Sequence, residues 1–183
     1  KSCVEVLLDH GVDLDLPDPD GVSPLLLAII NTNWDIAKTL IEAGADVEQW
    51  DKFGQSPLLA IAGSRNQSGL KVDGILNQSD GLTIARMLLE AGANPNMQLF
   101  FRPAGARGGP LSRGTTPLIR AASNGDVELM KLLMQFGAQA DMPQADLQTP
   151  VSVLAGARSN RELLVEGLAM LVEAGVDLNV RAV

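Results

Sequence analysis

Residues 23–47 read SPLLLAIINTNWDIAKTLIEAGADV, and this stretch contains two helix-boundary signals. The first is Ser23-Pro24, because a serine hydroxyl accepts a hydrogen bond from an unpaired N–H of a first helical turn and proline has the backbone angle of the first helical position. The second is Gly44, which follows an apolar run and suits the left-handed residue that ends a helix. The stretch therefore predicts two helices, joined by a short loop and followed by a turn.

Both signals recur along the chain with a base period of 33 residues. Ser/Thr-Pro pairs follow one another at intervals of 33, 60 and 33 residues, and the closing glycines at intervals of 33, 48, 45 and 38. Intervals above 33 indicate insertions into a repeated unit. The pairs are Ser23-Pro24, Ser56-Pro57, Thr116-Pro117 and Thr149-Pro150, and the glycines are Gly11, Gly44, Gly92, Gly137 and Gly175.

Apolar residues precede each closing glycine at the same positions: eight, seven, four and three residues before it. These offsets trace one face of an α-helix. A single unit is too small to bury its own apolar face, so neighbouring units must stack to form a core. The leucines four residues before the glycine are therefore predicted to stack in one continuous core: Leu40, Leu88, Leu133 and Leu171.

These motifs resemble the ankyrin repeat. The family's threonine-proline-leucine-histidine stretch reads Ser23-Pro24-Leu25-Leu26 and Thr116-Pro117-Leu118-Ile119 here, and its glycine-alanine-aspartate ending reads Gly44-Ala45-Asp46. The resemblance implies an all-α, helix-turn-helix solenoid with β-turn fingers, built from about four full units and a partial N-terminal one. The family histidine is absent from every unit, so its hydrogen bonds between neighbouring turns should be missing. The insertion spacing is similar to that of a group of bacterial ankyrin proteins, several of them exported.

The repeat period predicts a partial unit at 1–17 and full units at 18–50, 51–98, 111–143 and 144–183. An inserted loop is expected at 63–79, with Ser79 capping the helix that follows, and a second insertion at 99–110 should lengthen one finger. Lys1 aligns with the middle of a unit, and the last helix is as apolar as an internal one. Neither end is expected to be capped, so either the native chain should extend further or neighbouring copies should cover both ends.

Composition argues against several functions. The chain has 183 residues and a formal net charge of −8, and it lacks the clustered cations that bind nucleic acid. No apolar stretch is long enough to insert into a membrane as a helix. Cys3 is the single cysteine and His10 the single histidine, which excludes an internal disulfide and Cys/His zinc sites. No nucleophile and base stand at a recognisable spacing. We therefore expect no catalytic residue, cofactor or metal site.

The candidate partner-binding residues lie mainly in turns. Residues 97–115 contain three arginines and no acidic residue, and Trp50 and Phe53 belong to the preceding finger. Tryptophan and arginine are enriched at interface hot spots. Two alternatives remain open for Phe100 and Phe101, which either contact a partner or fold back as a lid. The candidates in the fingers are Trp50, Phe53, Phe100, Phe101, Arg102, Arg107 and Arg113, and the resemblance adds Val22, Ile30, Asn31, Gln55, Ser123 and Asn124 on a concave surface.

The sequence thus favours a protein–protein interaction module that presents a concave surface and an arginine-containing finger to another protein. Two alternatives stay open. The chain is a non-catalytic accessory domain of a larger enzyme, or it is a structural array that associates end to end with its own copies. A cytoplasmic and an exported location fit the sequence equally.

Overall fold

The computed structural model describes residues 10–64, 78–100, 112–157 and 161–176. These residues form helices and turns and contain no strand, which confirms the predicted all-α fold. The helices come in pairs, as the repeat predicts. They are α1 Pro24–Ile30, α2 Trp34–Glu42, α3 Pro57–Ser64, α4 Gln78–Glu90, α5 Pro117–Asn124, α6 Val127–Gln135, α7 Pro150–Ala155 and α8 Arg161–Glu173.

The Ser/Thr-Pro pairs begin the first helix of each pair. Ser23 accepts a hydrogen bond from the Leu26 N–H at 3.2 Å, and Thr116 accepts one from the Ile119 N–H at 3.2 Å. Thr149 forms a reciprocal capping box with Ser152. The closing glycines have positive φ, as a left-handed helix end requires; Gly44 has a φ of 88°. The two boundary signals read from the sequence are therefore confirmed.

The chain forms two compact units, Lys1–Asn94 and Pro95–Val183. In the first unit, α1 packs on α2 and α3, and α4 packs on α2 and α3. In the second unit, α5 packs on α6 and α7, and α8 packs on α6 and α7. The predicted core leucines are buried in their own units, which confirms the register: Leu40 and Leu88 in the first, Leu133 and Leu171 in the second.

Hydrogen bonds between successive turns exist without the family histidine. In the first unit the Asp46 N–H donates to Asp15 Oδ1 at 2.8 Å, and the Asn94 N–H donates to Glu48 Oε1. In the second unit the Gln139 N–H donates to Asn96 Oδ1 at 2.8 Å. Each bond joins residues that lie 31 to 46 positions apart. Carboxylates and an amide therefore tie neighbouring repeats together in the absence of the histidine's own hydrogen bonds.

The boundaries of the first insertion differ from the prediction. Helix α3 continues through Gly63 and Ser64, and α4 begins at Gln78. Ser79 therefore lies within the first turn of α4, and its prediction as the cap of that helix is wrong. A polar, glycine-rich composition favoured a loop there, but helical hydrogen bonding continues into both edges of the stretch. The remaining residues of the predicted loop, 65–77, lie outside the described part of the chain.

Leu147 has a backbone conformation that suits glycine. Its φ is 61°, and it holds the turn position that Gly21, Gly54 and Gly114 hold elsewhere, with φ between 81° and 85°. The left-handed region costs a side-chain-bearing residue about 1–2 kcal/mol. The Leu147 side chain is 54% exposed, so little apolar burial offsets this cost.

Leu147→Gly is therefore expected to raise the free energy of unfolding by about 0.5–1 kcal/mol, after subtraction of the chain entropy that glycine adds to the unfolded state. Urea denaturation of both proteins measures the change. Leu16→Gly, at another exposed leucine without positive φ, is the control and should not stabilise the protein. Destabilisation by Leu147→Gly would contradict the assignment of backbone strain.

None of the helices among the described residues combines the length and apolar character that crossing a membrane requires. The same residues contain no group of three or more histidine, cysteine, aspartate or glutamate side chains placed to hold a metal ion.

Candidate protein-binding surface

In the first compact unit, the turn that precedes the first helix of each pair is built around an acidic side chain. Asp18 Oδ1 accepts hydrogen bonds from the N–H groups of Asp20 and Val22, at 2.8 and 2.9 Å. Asp51 Oδ1 does the same for Phe53 and Gln55, at 2.9 Å each. Each carboxylate thus accepts hydrogen bonds from two backbone N–H groups of its own turn. The result is a pair of rigid fingers that hold their neighbouring side chains in place.

The two fingers of the first unit are joined to each other. The Lys52 N–H donates to the Asp20 carbonyl at 2.9 Å, and Lys52 Nζ contacts Asp20 Oδ1 at 2.6 Å. Both charged side chains are about half exposed, so the ion pair itself contributes little stability. The pair instead fixes the position of the Lys52 ammonium, which lies 5.1 Å from the centre of the Phe53 ring.

Trp50 and Phe53 give this finger its apolar surface. Trp50 is 46% exposed and Phe53 is partly exposed. A large aromatic side chain in water loses the free energy that burial would provide. The finger therefore presents an indole and a phenyl ring, with a cation over the phenyl ring, on a backbone fixed by hydrogen bonds. This arrangement suits the anchor of a protein interface.

The corresponding turn of the second unit contains the second insertion. The Leu99 N–H donates to the Thr115 carbonyl at 3.0 Å, and the Gly114 N–H donates to the Leu99 carbonyl at 2.8 Å. The same two bonds join Asp51 to Gln55 and Gly54 in the preceding finger. Leu99 thus holds the place of Asp51, and the inserted residues are 100–111, displaced by one from the predicted 99–110. The insertion therefore begins and ends at the tip of a finger.

The base of this finger is fastened to the next turn. The Ala145 N–H donates to the Arg113 carbonyl at 2.7 Å, and the Ser112 hydroxyl donates to Asp146 Oδ2 at 2.7 Å. Partial burial raises the pKa of the Asp146 carboxyl, but hydrogen bonds from the Ser112 hydroxyl and the Gln148 N–H lower it more, so that the pKa lies below its usual value. The carboxylate is ionised at neutral pH and keeps accepting the Ser112 bond.

The predicted candidates fall into two groups. In the first unit, Ile30, Asn31 and Trp50 are exposed, while Val22, Phe53 and Gln55 are partly exposed. In the second unit, Phe100, Arg113 and Ser123 are exposed and Asn124 is partly exposed. Phe100 is 49% exposed, so the described residues do not bury it as a lid would. Phe101, Arg102 and Arg107 lie outside the described residues.

A groove in the first unit was not identified from the sequence. It has a volume of about 280 Å³ and is lined by the turn at Val12, by Leu27 on α1 and by Ile36 on α2. All three side chains are exposed large hydrophobic residues. No motif in the sequence marks this groove, because the exposure of Leu27 and Ile36 depends on their tertiary surroundings.

Paired helices with a 33-residue period, joined by hydrogen-bonded fingers, define a helix-turn-helix repeat protein. The family model for ankyrin repeats in three copies matches residues 1–72 and 77–182. The chain belongs to the ankyrin repeat family. Proteins of this family generally mediate protein–protein interaction, and the proteins similar to this chain are mostly non-enzymatic modules.

Three similar proteins come from one animal and two bacteria. Ankyrin repeat and SOCS box protein 16 of Homo sapiens is 30% identical over 177 residues, which cover 82% of this chain and 36% of that protein. A putative ankyrin repeat-containing protein of Treponema pallidum is 34% identical, over 74% of this chain and 37% of that protein. A putative ankyrin repeat protein of Rickettsia bellii is 27% identical, over 78% and 35%. The chain spans little more than a third of each relative.

Proposed function

We propose that this chain is a protein–protein interaction module whose fingers and first helices contact a protein partner. The exposed Trp50 beside Phe53 and Lys52, on a finger fixed by hydrogen bonds, is the observation that carries the proposal. Rigid aromatic side chains lose little conformational entropy on binding and bury a large area. Ile30 and Asn31, at the end of α1, add an exposed apolar and an amide group in the same unit.

In the second unit the proposed surface is the lengthened finger. Phe100 and Arg113 stand at the two ends of the insertion, and Arg102 and Arg107 lie within it. Three arginines in a stretch of sequence, 97–115, that contains no acidic residue favour an acidic or polar partner. Charges at the rim of an interface act mainly on association rate and salt dependence. The arginines are therefore assigned to steering, and the aromatic residues to anchoring.

Trp50→Ala is expected to weaken binding of the native partner about tenfold or more, because hot-spot tryptophans lose at least 1.4 kcal/mol on truncation. The partner is first isolated by affinity capture from the native source and identified by mass spectrometry. Isothermal titration calorimetry with the purified partner then measures the dissociation constant. Val165→Ala removes an exposed apolar side chain on α8, outside the fingers, and is the control. Equal affinity of Trp50→Ala and wild type would overturn the assignment of the anchor.

An accessory role in a larger protein is the second candidate. The observation that favours it is that the chain spans little more than a third of each relative described above. In that case the array would position a neighbouring domain against its target. Deleting the codons for residues 10–176 from the native gene would then abolish binding of the target protein. The rate at which the neighbouring domain converts a small substrate would stay unchanged.

A further inference from the structure

The two fingers of the first unit form a continuous surface around Trp50. The Gln49 side-chain amide donates to the Asp15 carbonyl at 3.0 Å, and the Lys52 N–H donates to the Asp20 carbonyl at 2.9 Å. These two bonds lie on either side of Trp50 along its finger, so Trp50 lies opposite the stretch between Asp15 and Asp20. Because a described finger lies beside it, the 46% exposure of Trp50 is not that of a terminal repeat.

The surface around Trp50 is acidic. Residues 13–22 and 46–55, which form the two fingers, contain seven acidic residues and one lysine. The ammonium of this lysine already pairs with Asp20 at 2.6 Å. Asp18 lies in the stretch opposite Trp50, and its exposed carboxylate forms no ion pair with any described residue. The two fingers therefore carry an excess of negative charge that a partner has to match.

Arginine is the side chain that fits both the aromatic and the acidic part of this surface. A guanidinium stacks well on an indole, and its planar N–H groups pair with a carboxylate through two hydrogen bonds. Its methylene stem packs on apolar surface, which the exposed rings of Pro17 and Pro19 supply in the opposite finger. An acidic segment would be repelled here, and an apolar segment would bury the Asp18 carboxylate without a cation.

We propose that the fingers of the first unit bind an arginine-containing segment of the partner protein. One arginine packs its guanidinium against the indole of Trp50 and pairs with Asp18, and further cations of the segment lie near Asp20 and Asp46. This inference rests on the proposed function, because it names the chemistry of the partner at the finger that holds Trp50. It concerns the first unit alone, whereas the lengthened finger with its own arginines belongs to the second.

The test uses the full chain and a fluorescein-labelled peptide of about 12 residues, in which arginine alternates with glycine and serine so that the peptide has no helical preference. Fluorescence anisotropy measures the dissociation constant at about 0.15 M salt, where attraction between exposed charges beyond about 8 Å is largely screened. Trp50→Ala should weaken binding about fivefold or more, and Trp50→Phe, which keeps an aromatic face, should weaken it less. Val165→Ala on α8 is the control and should change the affinity less than about twofold.

The charge of Asp18 is tested separately. Asp18→Asn keeps an Oδ1 atom that accepts the N–H bonds from Asp20 and Val22, so the finger keeps its shape while it loses a charge. This variant should weaken binding about threefold or more and reduce its salt dependence. Asp35→Asn removes the same charge from α2 rather than from a finger, and should change the affinity less than about twofold. Circular dichroism checks that each variant keeps its helical content.

Two control peptides separate arginine recognition from general attraction. One has lysine at every arginine position and so keeps the net charge, and the other has glutamate there. The lysine peptide should bind about threefold more weakly, because an ammonium lacks the planar fork of a guanidinium, and the glutamate peptide should not bind. Absence of binding by the arginine peptide, equal affinity of the lysine peptide, or an unchanged affinity of Trp50→Ala or Asp18→Asn would each overturn the proposal.

Failure of this inference is distinguishable from failure of the proposed function, because the native partner tests the latter. If Trp50→Ala weakens binding of the native partner but not of the arginine peptide, the finger is a binding site and only the assignment of arginine is wrong. If Trp50→Ala leaves binding of the native partner unchanged, the proposed anchor itself is wrong, and the arginine assignment that rests on it is overturned as well.

Discussion

Leu88→Ala and Leu133→Ala are each expected to lower the free energy of unfolding by about 2–5 kcal/mol. Leu88 lies on α4, which packs on α2 and α3, and Leu133 lies on α6, which packs on α5 and α8. Both side chains are fully buried. Truncation to alanine removes apolar contacts and leaves a cavity that the fixed helices cannot fill. The loss is large because a repeat unit depends on its neighbours for its core.

Chemical denaturation followed by circular dichroism measures these losses. The matched controls are Leu16→Ala in the first unit and Val165→Ala in the second, whose side chains are 68% and 60% exposed. Both controls should stay within about 0.5 kcal/mol of wild type. A loss below about 0.5 kcal/mol for either buried leucine would show that the repeat register assigned here is incorrect.

Gly167→Leu is expected to lower the free energy of unfolding by about 1–3 kcal/mol, since the site on α8 has no room for a side chain. A Cβ atom at Gly167 would lie 2.8 Å from Leu154 Cδ2 and 3.3 Å from Val127 Cγ2. Three other repeats have Ile36, Ile84 and Leu129 at the position that Gly167 holds in the last repeat. In this unit the Leu154 side chain of α7 fills the space instead, and Leu154 is fully buried.

A double-mutant cycle tests this exchange of volume. Leu154→Ala alone should cost about 2–5 kcal/mol, because it leaves a cavity beside a glycine. The double variant with Gly167→Leu should be more stable than the sum of the single changes by about 0.5–3 kcal/mol. Val165→Leu, on the exposed side of the same helix, is the control and should change stability little. Simple additivity of the two changes would contradict the packing described.

The repeat architecture was predictable from the sequence because its signals are local. A hydroxyl before a proline caps the helix that begins there, and a glycine after an apolar run ends one, without any contribution from distant residues. Leu88 and Leu133 were identified as core residues in the same way, because each lies four positions before its glycine. Repetition of one register along the chain then implied that the units stack. The prediction failed at Ser79, where the polar composition of an insertion gave no indication that helix α4 had already begun.

Only the tertiary structure decided which groups meet between units. The carboxylate of Asp15 reaches the N–H of Asp46, and this bond depends on the spacing of two turns that are 31 residues apart. Leu99 forms the base of a finger because Thr115 returns beside it after the insertion, although aspartate holds the equivalent place in the first unit. Leu27 looks like any buried leucine in the sequence but is half exposed, because burial depends on what packs against α1. Local patterns thus determined where most of the helices begin and end, and contacts between distant residues determined which of their surfaces remain available for binding.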